Sequence, residues 1–216
     1  MTDERTPGLR ESKKLRTHRH LAATALELFL QRGFDQVSVA DVAAAAEVSK
    51  PTLFRYFPSK EDLILYRFAD HQDEAARLVR ARPDGCTPVR ALHEHFLVAL
   101  RERDPITGLS DLPDVVAFQR LLYSTSSLET RLAHYTAREV ELLAGALEAE
   151  AHPPLAARLA AHHLISVRQA LGRENWQRIA SGRSADEAYP EAVADADLAF
   201  GMLATGLDAA LPEPAR

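Results

Sequence analysis

The side chains best suited to chemistry in this chain fall in one short run, Ser49 to Lys60, SKPTLFRYFPSK. Lys50, Arg55 and Lys60 bring positive charge; Thr52 and Tyr56 bring hydroxyls; Pro51 and Phe54 bring apolar surface. That mixture fits a DNA duplex. Lys50 can donate to guanine O6 and N7, Pro51 and the Thr52 methyl can touch a thymine methyl, and Arg55 can reach a base or a phosphate. The Tyr56 phenol can donate to phosphate. Leu53 and Phe57 are assigned instead to a core behind this surface.

Other chemistries find little support. Nine histidines include the pairs His18/His20, His93/His95 and His162/His163, but no pair is three or four residues apart. On a helix, His93 and His95 diverge by about 200° and cannot share an ion. Cys86 is the single cysteine, so no cysteine-rich metal site and no internal disulfide can form. There is no glycine-rich phosphate loop and no G-x-S-x-G elbow. No cofactor, no metal and no enzymatic activity are expected.

Short helices must position the reading residues. Ser38 with Asp41 makes a box-like helix start, and Val39, Val42, Ala43 and Ala46 form one apolar stripe. Ser49 can cap the next helix, with Pro51 in its first turn, where a missing N–H costs little. Pro58 stops it, and Ser59 with Asp62 restarts a helix. Helix, tight turn and basic second helix is the helix-turn-helix layout, whose second helix lies in the DNA major groove. Ahead of it, Lys13, Lys14, Arg16 and Arg19 precede the amphipathic set Leu21, Ala25, Leu28 and Phe29, closed by Gly33.

The run V-A-x-x-A-x-V-S-x-x-T-L-F-x-Y-F-x-S-K-E-D-L, from Val42 to Leu63, resembles the DNA-binding segment of the tetracycline-repressor (TetR) family, and the similarity reaches back to Lys14. The resemblance implies a DNA-binding transcriptional regulator. It implies phosphate contacts from Thr17 and Ser38 and a phosphate anchor at Lys60. Phe54 stands where the family usually has tyrosine, so a hydroxyl contact is lost there. It further implies a homodimer built from the last two long helices.

Charge divides the chain in the same place. Up to Phe68 there are 11 Lys/Arg against 9 Asp/Glu, and beyond it 15 against 22, for a net charge of −5. A basic reader on an acidic body suits site-specific binding rather than coating of nucleic acid. No apolar run approaches the ~18 residues of a membrane span, and MTDERTPGLR is no signal peptide. A cytoplasmic protein follows as the expectation.

The expected fold is all-α. Residues 1–10 form a disordered arm, 11–62 a three-helix helix-turn-helix domain, and 63–216 a helical effector-binding and dimerisation body. Ser59 is expected to open one long helix to about Arg82. Further helices are expected at about 87–103, 114–123, 127–149, 154–180 and 186–211. In the last of these, Val193, Phe200 and Leu207 are seven apart, as are Ala196, Leu203 and Ala210, a heptad seam expected to meet a second copy. Packing of that face on the chain's own core is the other reading.

Phe96, Phe118, Leu122, Tyr123, His134, Tyr135 and Arg138 are the candidates to line an effector pocket, with His134 and Arg138 orienting a polar end. The segment Arg120–Leu132 and the R-Q-A-L…W pattern of Arg168–Trp176 resemble regulators that sense acyl-coenzyme A thioesters. The expectation is therefore a homodimeric repressor of a palindromic double-stranded DNA operator, released by a small, largely apolar ligand. The alternatives are a regulator answering to a protein partner and a helical enzyme with a DNA-reading appendage.

Overall fold

The computed structural model describes residues 9–150 and 152–210. Ten α-helices follow in order among them: α1 Leu9–Arg32, α2 Val39–Ala45, α3 Lys50–Tyr56, α4 Asp62–His71, α5 Glu74–Ala81, α6 Pro88–Arg101, α7 Pro113–Ser124, α8 Ser126–Glu148, α9 Pro154–Ala180 and α10 Ala185–Ala210. A single 3-10 turn, Pro105–Thr107, sits between α6 and α7, and no strand occurs among the described residues. The all-α expectation holds. Residues 1–8 of the expected arm lie outside the described residues, while Leu9 and Arg10 already belong to α1.

The chain forms two compact units: residues up to Ala69 with Leu121–Glu129, and Asp70–Arg120 with the chain from Thr130 on. The two units part within α4.

In the first unit the predicted positions Leu21, Ala25, Phe29, Val42, Ala43, Ala46, Leu53 and Phe57 are buried, and Phe34 and Leu63 join them, while Leu28 and Val39 are half-buried. Fully burying a leucine or phenylalanine side chain stabilises by roughly 1.5–3 kcal/mol, so this cluster is a main contribution to holding α2 and α3 on α1. Phe29 and Phe34 pack ring to ring at 4.9 Å. Between them Gly33, at φ +87°, turns the chain out of α1 while its N–H donates to the Phe29 carbonyl at 2.9 Å.

In the second unit α10 packs on both α6 and α9, and α5 packs on α6. One face of α6 is buried throughout: Val89, Leu92, Phe96 and Leu100. Gly108, at φ +73°, lies flush against α9, where an added Cβ would stand 2.0 Å from the Gly172 carbonyl oxygen. Asn175 Nδ2 fixes that approach by donating to the Thr107 carbonyl at 2.9 Å.

The helix expected from Ser59 to Arg82 is instead two helices, broken at Gln72–Asp73. The reason is polar. Gln72 turns its side-chain amide to the Tyr135 carbonyl at 3.2 Å, and the Asp73 carboxylate is held by Arg77 at 3.1 Å within the next turn.

Candidate nucleic-acid interface

The α2–α3 turn is built by backbone hydrogen bonds. Val48 N–H donates to Ala43 O at 2.9 Å and Glu47 N–H to Ala44 O at 3.1 Å, the paired closure of a Schellman motif. The residue that must enter the left-handed region here is Glu47, at φ +54°, not a glycine. At the start of α2 the Ser38 hydroxyl accepts from Asp41 N–H at 3.2 Å, and Ser38 N–H donates back to the Asp41 carboxylate at 2.7 Å. Those bonds, the Ser38 hydroxyl first and its amide second, hold the Asp41 carboxyl below the usual carboxylate range. Ser49 caps α3 by accepting from Thr52 N–H at 3.2 Å.

With both ends fixed, α3 has two faces. Leu53 is fully buried, and Phe57 directly after the helix is 1% exposed. Lys50, Pro51, Phe54 and Arg55 are exposed, and Thr52 and Tyr56 are half-buried. His18 of α1 is stacked on Phe57 at 4.1 Å and meets Tyr66 edge-on at 5.2 Å, backing the helix from behind. Nothing in the sequence pattern marks that ring as a packing residue. Arg55 lies over the Tyr56 ring at 5.6 Å.

Three expected phosphate contacts are engaged within the unit itself. The Lys60 ammonium donates to the Phe34 carbonyl and stands 4.1 Å from the Phe34 ring centre and 5.5 Å from that of Phe29. It clamps the end of α1 rather than pointing outward as a phosphate anchor would. The Thr17 hydroxyl donates to the Lys13 carbonyl at 3.0 Å, one turn back. The Ser38 hydroxyl donates to Asp41 at 2.5 Å. Thr52 shares a 2.9 Å hydrogen bond with Ser49, so of the reading residues Lys50 and Arg55 are the outward cations.

The seven residues expected to line an effector pocket are divided between the two units. Leu122 and Tyr123 belong to the first unit, the other five to the second. His134 and Arg138 lie on the solvent stripe of α8, His134 bonded to the Thr130 carbonyl at 3.1 Å and Arg138 paired with Glu141 at 2.9 Å. Residues four apart share a helix face, and here that face looks to water. Phe96 is 4% exposed with its ring centre 6.0 Å from that of Phe200. Phe118 and Tyr135 are half-buried.

What does converge in the second unit is charge. Arg168 of α9 reaches Glu139 of α8 at 2.9 Å and Glu74 of α5 at 3.4 Å. His71 of α4 and His95 of α6 approach Glu74 at 3.5 Å and 4.0 Å. Burial pushes the Glu139 carboxyl above its usual range; Arg168 pulls it down and Glu74 pushes it up. Residues so far apart in sequence carry no signal of this meeting. Among the described residues no group of histidine, cysteine and carboxylate side chains could hold a metal ion.

The α10 seam is turned inward. Phe200 is 1% exposed and stacked on His93 of α6 at 4.9 Å, Ala196 is fully buried and Leu207 nearly so. Val193 and Leu203 are half-buried, and the Ala210 side chain lies outside the described residues. The buried positions read 185, 188, 192, 196, 200 and 207. That spacing, 22 residues from first to last in about six turns, fits the 3.6-residue period of a helix packed on a core. The outward face is a second stripe, with Leu198 66% and Met202 71% exposed.

A capped helix with a buried back and a basic, partly apolar front, set after a tight turn, is the helix-turn-helix layout. Residues 21–66 match the family described as bacterial regulatory proteins, tetR family. The chain is 36% identical over 137 residues to the HTH-type transcriptional regulator TcmR of Streptomyces glaucescens, 63% of this chain and 59% of that protein. Over 71 residues it is 41% identical to the putative mycofactocin biosynthesis transcriptional regulator MftR of Mycobacterium tuberculosis, 33% of this chain and 34% of that one. It thus spans about three fifths and one third of these relatives.

Among solved structures, Salmonella enterica GusR superposes with a TM-score of 0.55 at 21% identity, covering 90% of this chain and 96% of its own. NalD of Pseudomonas aeruginosa does so with 0.56 at 18% identity, covering 86% and 97%. These two likenesses concern the fold. Residues 21–66 are thus similar to the DNA-binding segment of tetR-family regulators, as the run from Val42 to Leu63 implies.

Proposed function

We propose that this protein is a sequence-specific repressor that binds a palindromic operator as a homodimer and is released by a small effector. The observation that carries the reading is the outward face of α3, Lys50, Pro51, Phe54 and Arg55, fixed over the buried Leu53 and Phe57. NalD, of like fold, is itself described as a repressor, of a multidrug efflux pump. Dimerisation uses the exposed stripe of α10, Leu198 and Met202, with Gly201 and Gly206, where an added Cβ would meet nothing within 4 Å. Exposed Leu155 and Leu159 of α9 extend the same kind of surface.

The effector reading rests on the second unit's interior charge. Arg168, the start of the pattern that resembles thioester sensors, is held between two glutamates. A neutral or cationic effector suits that interior better than an anionic acyl-coenzyme A. Such a ligand lowers operator affinity only by its preference for the DNA-incompetent state, so a 100-fold loss needs about 2.7 kcal/mol of coupling.

Selection of binding sites from random duplexes tests the core of the proposal. The expected product is an inverted repeat with half-sites about 34–36 Å apart. Lys50→Ala should then relax preference at one base pair per half-site by roughly 1–3 kcal/mol. Recovery of duplexes with no common sequence would overturn it.

A further inference from the structure

We infer that His18 is a positioning residue for operator binding, which seats α3 from behind and makes that binding depend on protonation of its ring. This rests on the reading of the chain as an operator-binding protein and adds how its recognition helix is held and what condition it answers to. The half-buried imidazole lies among three aromatic rings. It is stacked on Phe57, directly after α3, with ring centres 4.1 Å apart and planes inclined by 29°. Tyr66 of α4 meets it edge-on at 5.2 Å, and Tyr56 of α3 is tilted toward it at 6.3 Å. Phe57 and Tyr66 are themselves 6.2 Å apart, so one ring cluster joins α1, the end of α3 and α4. Phe57 is 1% exposed and its N–H donates to the Leu53 carbonyl, which makes it the fixed seat of the recognition helix. His18 is the α1 side of that seat.

Charge separates this ring from the others. An apolar ring could pack on the same aromatics, but imidazole also changes charge between pH 5 and 8. An imidazolium over the face of Phe57 adds cation–π attraction to the stack. The groups around it are named readily. Exposed Lys13, Lys14, Arg16 and Arg19 crowd the same helix. The Tyr56 and Tyr66 phenols belong to the neighbouring rings, and Arg55 lies over Tyr56. On α4 the buried Asp62 carboxyl stands one turn before Tyr66. In the free protein the α1 cations oppose a further positive charge, whereas a bound duplex brings phosphates that favour it. Operator binding therefore takes up a proton at His18, by linkage. The sign follows: affinity is greatest with the ring charged and falls as pH rises through the histidine range. The ring sits behind α3, about 10 Å or one helix diameter from its outward face, which is close to the Debye length at 0.1 M salt. The coupling is thus modest and weakened by salt.

The test is operator affinity by fluorescence anisotropy between pH 5.5 and 8, at one ionic strength, on the duplex obtained by selection. Wild type should lose about fivefold over that range, the low end of ordinary coupling between linked sites. His18→Phe keeps the stack and removes the proton, so it should bind selectively with a flat profile. His18→Ala removes the stack as well and should bind more weakly than His18→Phe at every pH; that rescue by phenylalanine marks positioning by the ring. Where circular dichroism shows His18→Ala unfolded, His18→Phe against wild type decides alone. His20→Gln, which removes an exposed histidine two residues on, should keep the wild-type slope. A flat wild-type profile, a slope that persists in His18→Phe, or a slope lost equally in His20→Gln would overturn the inference. Loss of all sequence selection in the wild-type protein would overturn the operator reading beneath it as well.

Discussion

The α2–α3 turn and the face of α10 are both written in the sequence as short periodic patterns of apolar residues, and they differ in what decides their partners. Around the turn, each contact is made within a few residues: Ser38 with Asp41, Ser49 with Thr52, Val48 with Ala43. Local hydrogen bonds fix the ends, and the apolar stripe between them has one place to go. On α10 the stripe meets His93 and Phe96, over a hundred residues earlier in the chain. A pattern of sevens is satisfied equally by a second copy and by α6, and only the burial of Phe200 on His93 separates them.

The widest split between the two faces of α10 should come from charge. Phe200→Asp places a carboxylate in a position that is 1% exposed. Losing the ring alone costs about 3–5 kcal/mol, and the buried charge adds to that. The variant should lose cooperative thermal unfolding. Leu198→Glu with Met202→Glu should instead keep helix content and give monomers by light scattering. A well-folded Phe200→Asp monomer would return the seam to the interface and undo the distinction.

Legibility in the sequence follows the same division. Helix existence and the caps at Ser38 and Ser49 rest on neighbours within one or two turns, and they could be read. The bond of the Lys60 ammonium to the Phe34 carbonyl, 26 residues away, carries no local signal. The exposure of His134 and Arg138 could not be read either, because a helical pattern shows which residues share a face but not whether that face meets solvent. The break at Gln72–Asp73 depends on the Tyr135 carbonyl, and no local residue type announces it.

The charged interior of the second unit is the extreme of the non-local case. Arg168, 11% exposed in its side chain, is the common partner of Glu74 and Glu139. Removing one member of a buried pair typically costs 3–5 kcal/mol, because the remaining charge is left uncompensated. Arg168→Met should therefore destabilise by about 3 kcal/mol in urea unfolding. Glu139→Gln in that background should recover part of the loss by removing one of the two facing carboxylates. If Arg168→Met unfolds like the wild type, the cluster does not hold α5, α8 and α9 together.

Protons should report on the same cluster with a smaller effect. The Glu139 carboxyl is raised by burial above the ordinary glutamate value of 4.5, so the folded chain binds its proton more tightly than the unfolded chain does. Its contribution to stability is fully present below about pH 4.5 and is lost as pH rises through the folded value. His71 and His95, both near Glu74, and Arg168 are the other charged groups around it. Comparing stability against pH for wild type and Glu139→Gln isolates this carboxyl. The wild-type curve should fall relative to the variant as pH rises above 4.5, and parallel curves would show that burial does not act on Glu139.

The smallest effect belongs to the first unit and tests whether local readings hold at the level of a single dihedral. Glu47 occupies φ +54° at the Schellman closure of α2, where an L side chain brings Cβ toward the carbonyl oxygen. The position is exposed, and its carboxylate has no shown role in the turn beyond the backbone bonds that any residue would make. Glycine removes the steric cost, about 1 kcal/mol, and loses some of that gain through greater freedom in the unfolded chain. Glu47→Gly should thus stabilise the turn by somewhat under 1 kcal/mol, read as slower exchange of the Val48 amide hydrogen that bonds to Ala43. Operator selectivity should be unchanged, since the substitution leaves Lys50, Phe54 and Arg55 in place. Faster exchange would mean that unfolded-chain entropy outweighs the strain, and the left-handed glutamate would then be no defect in the turn.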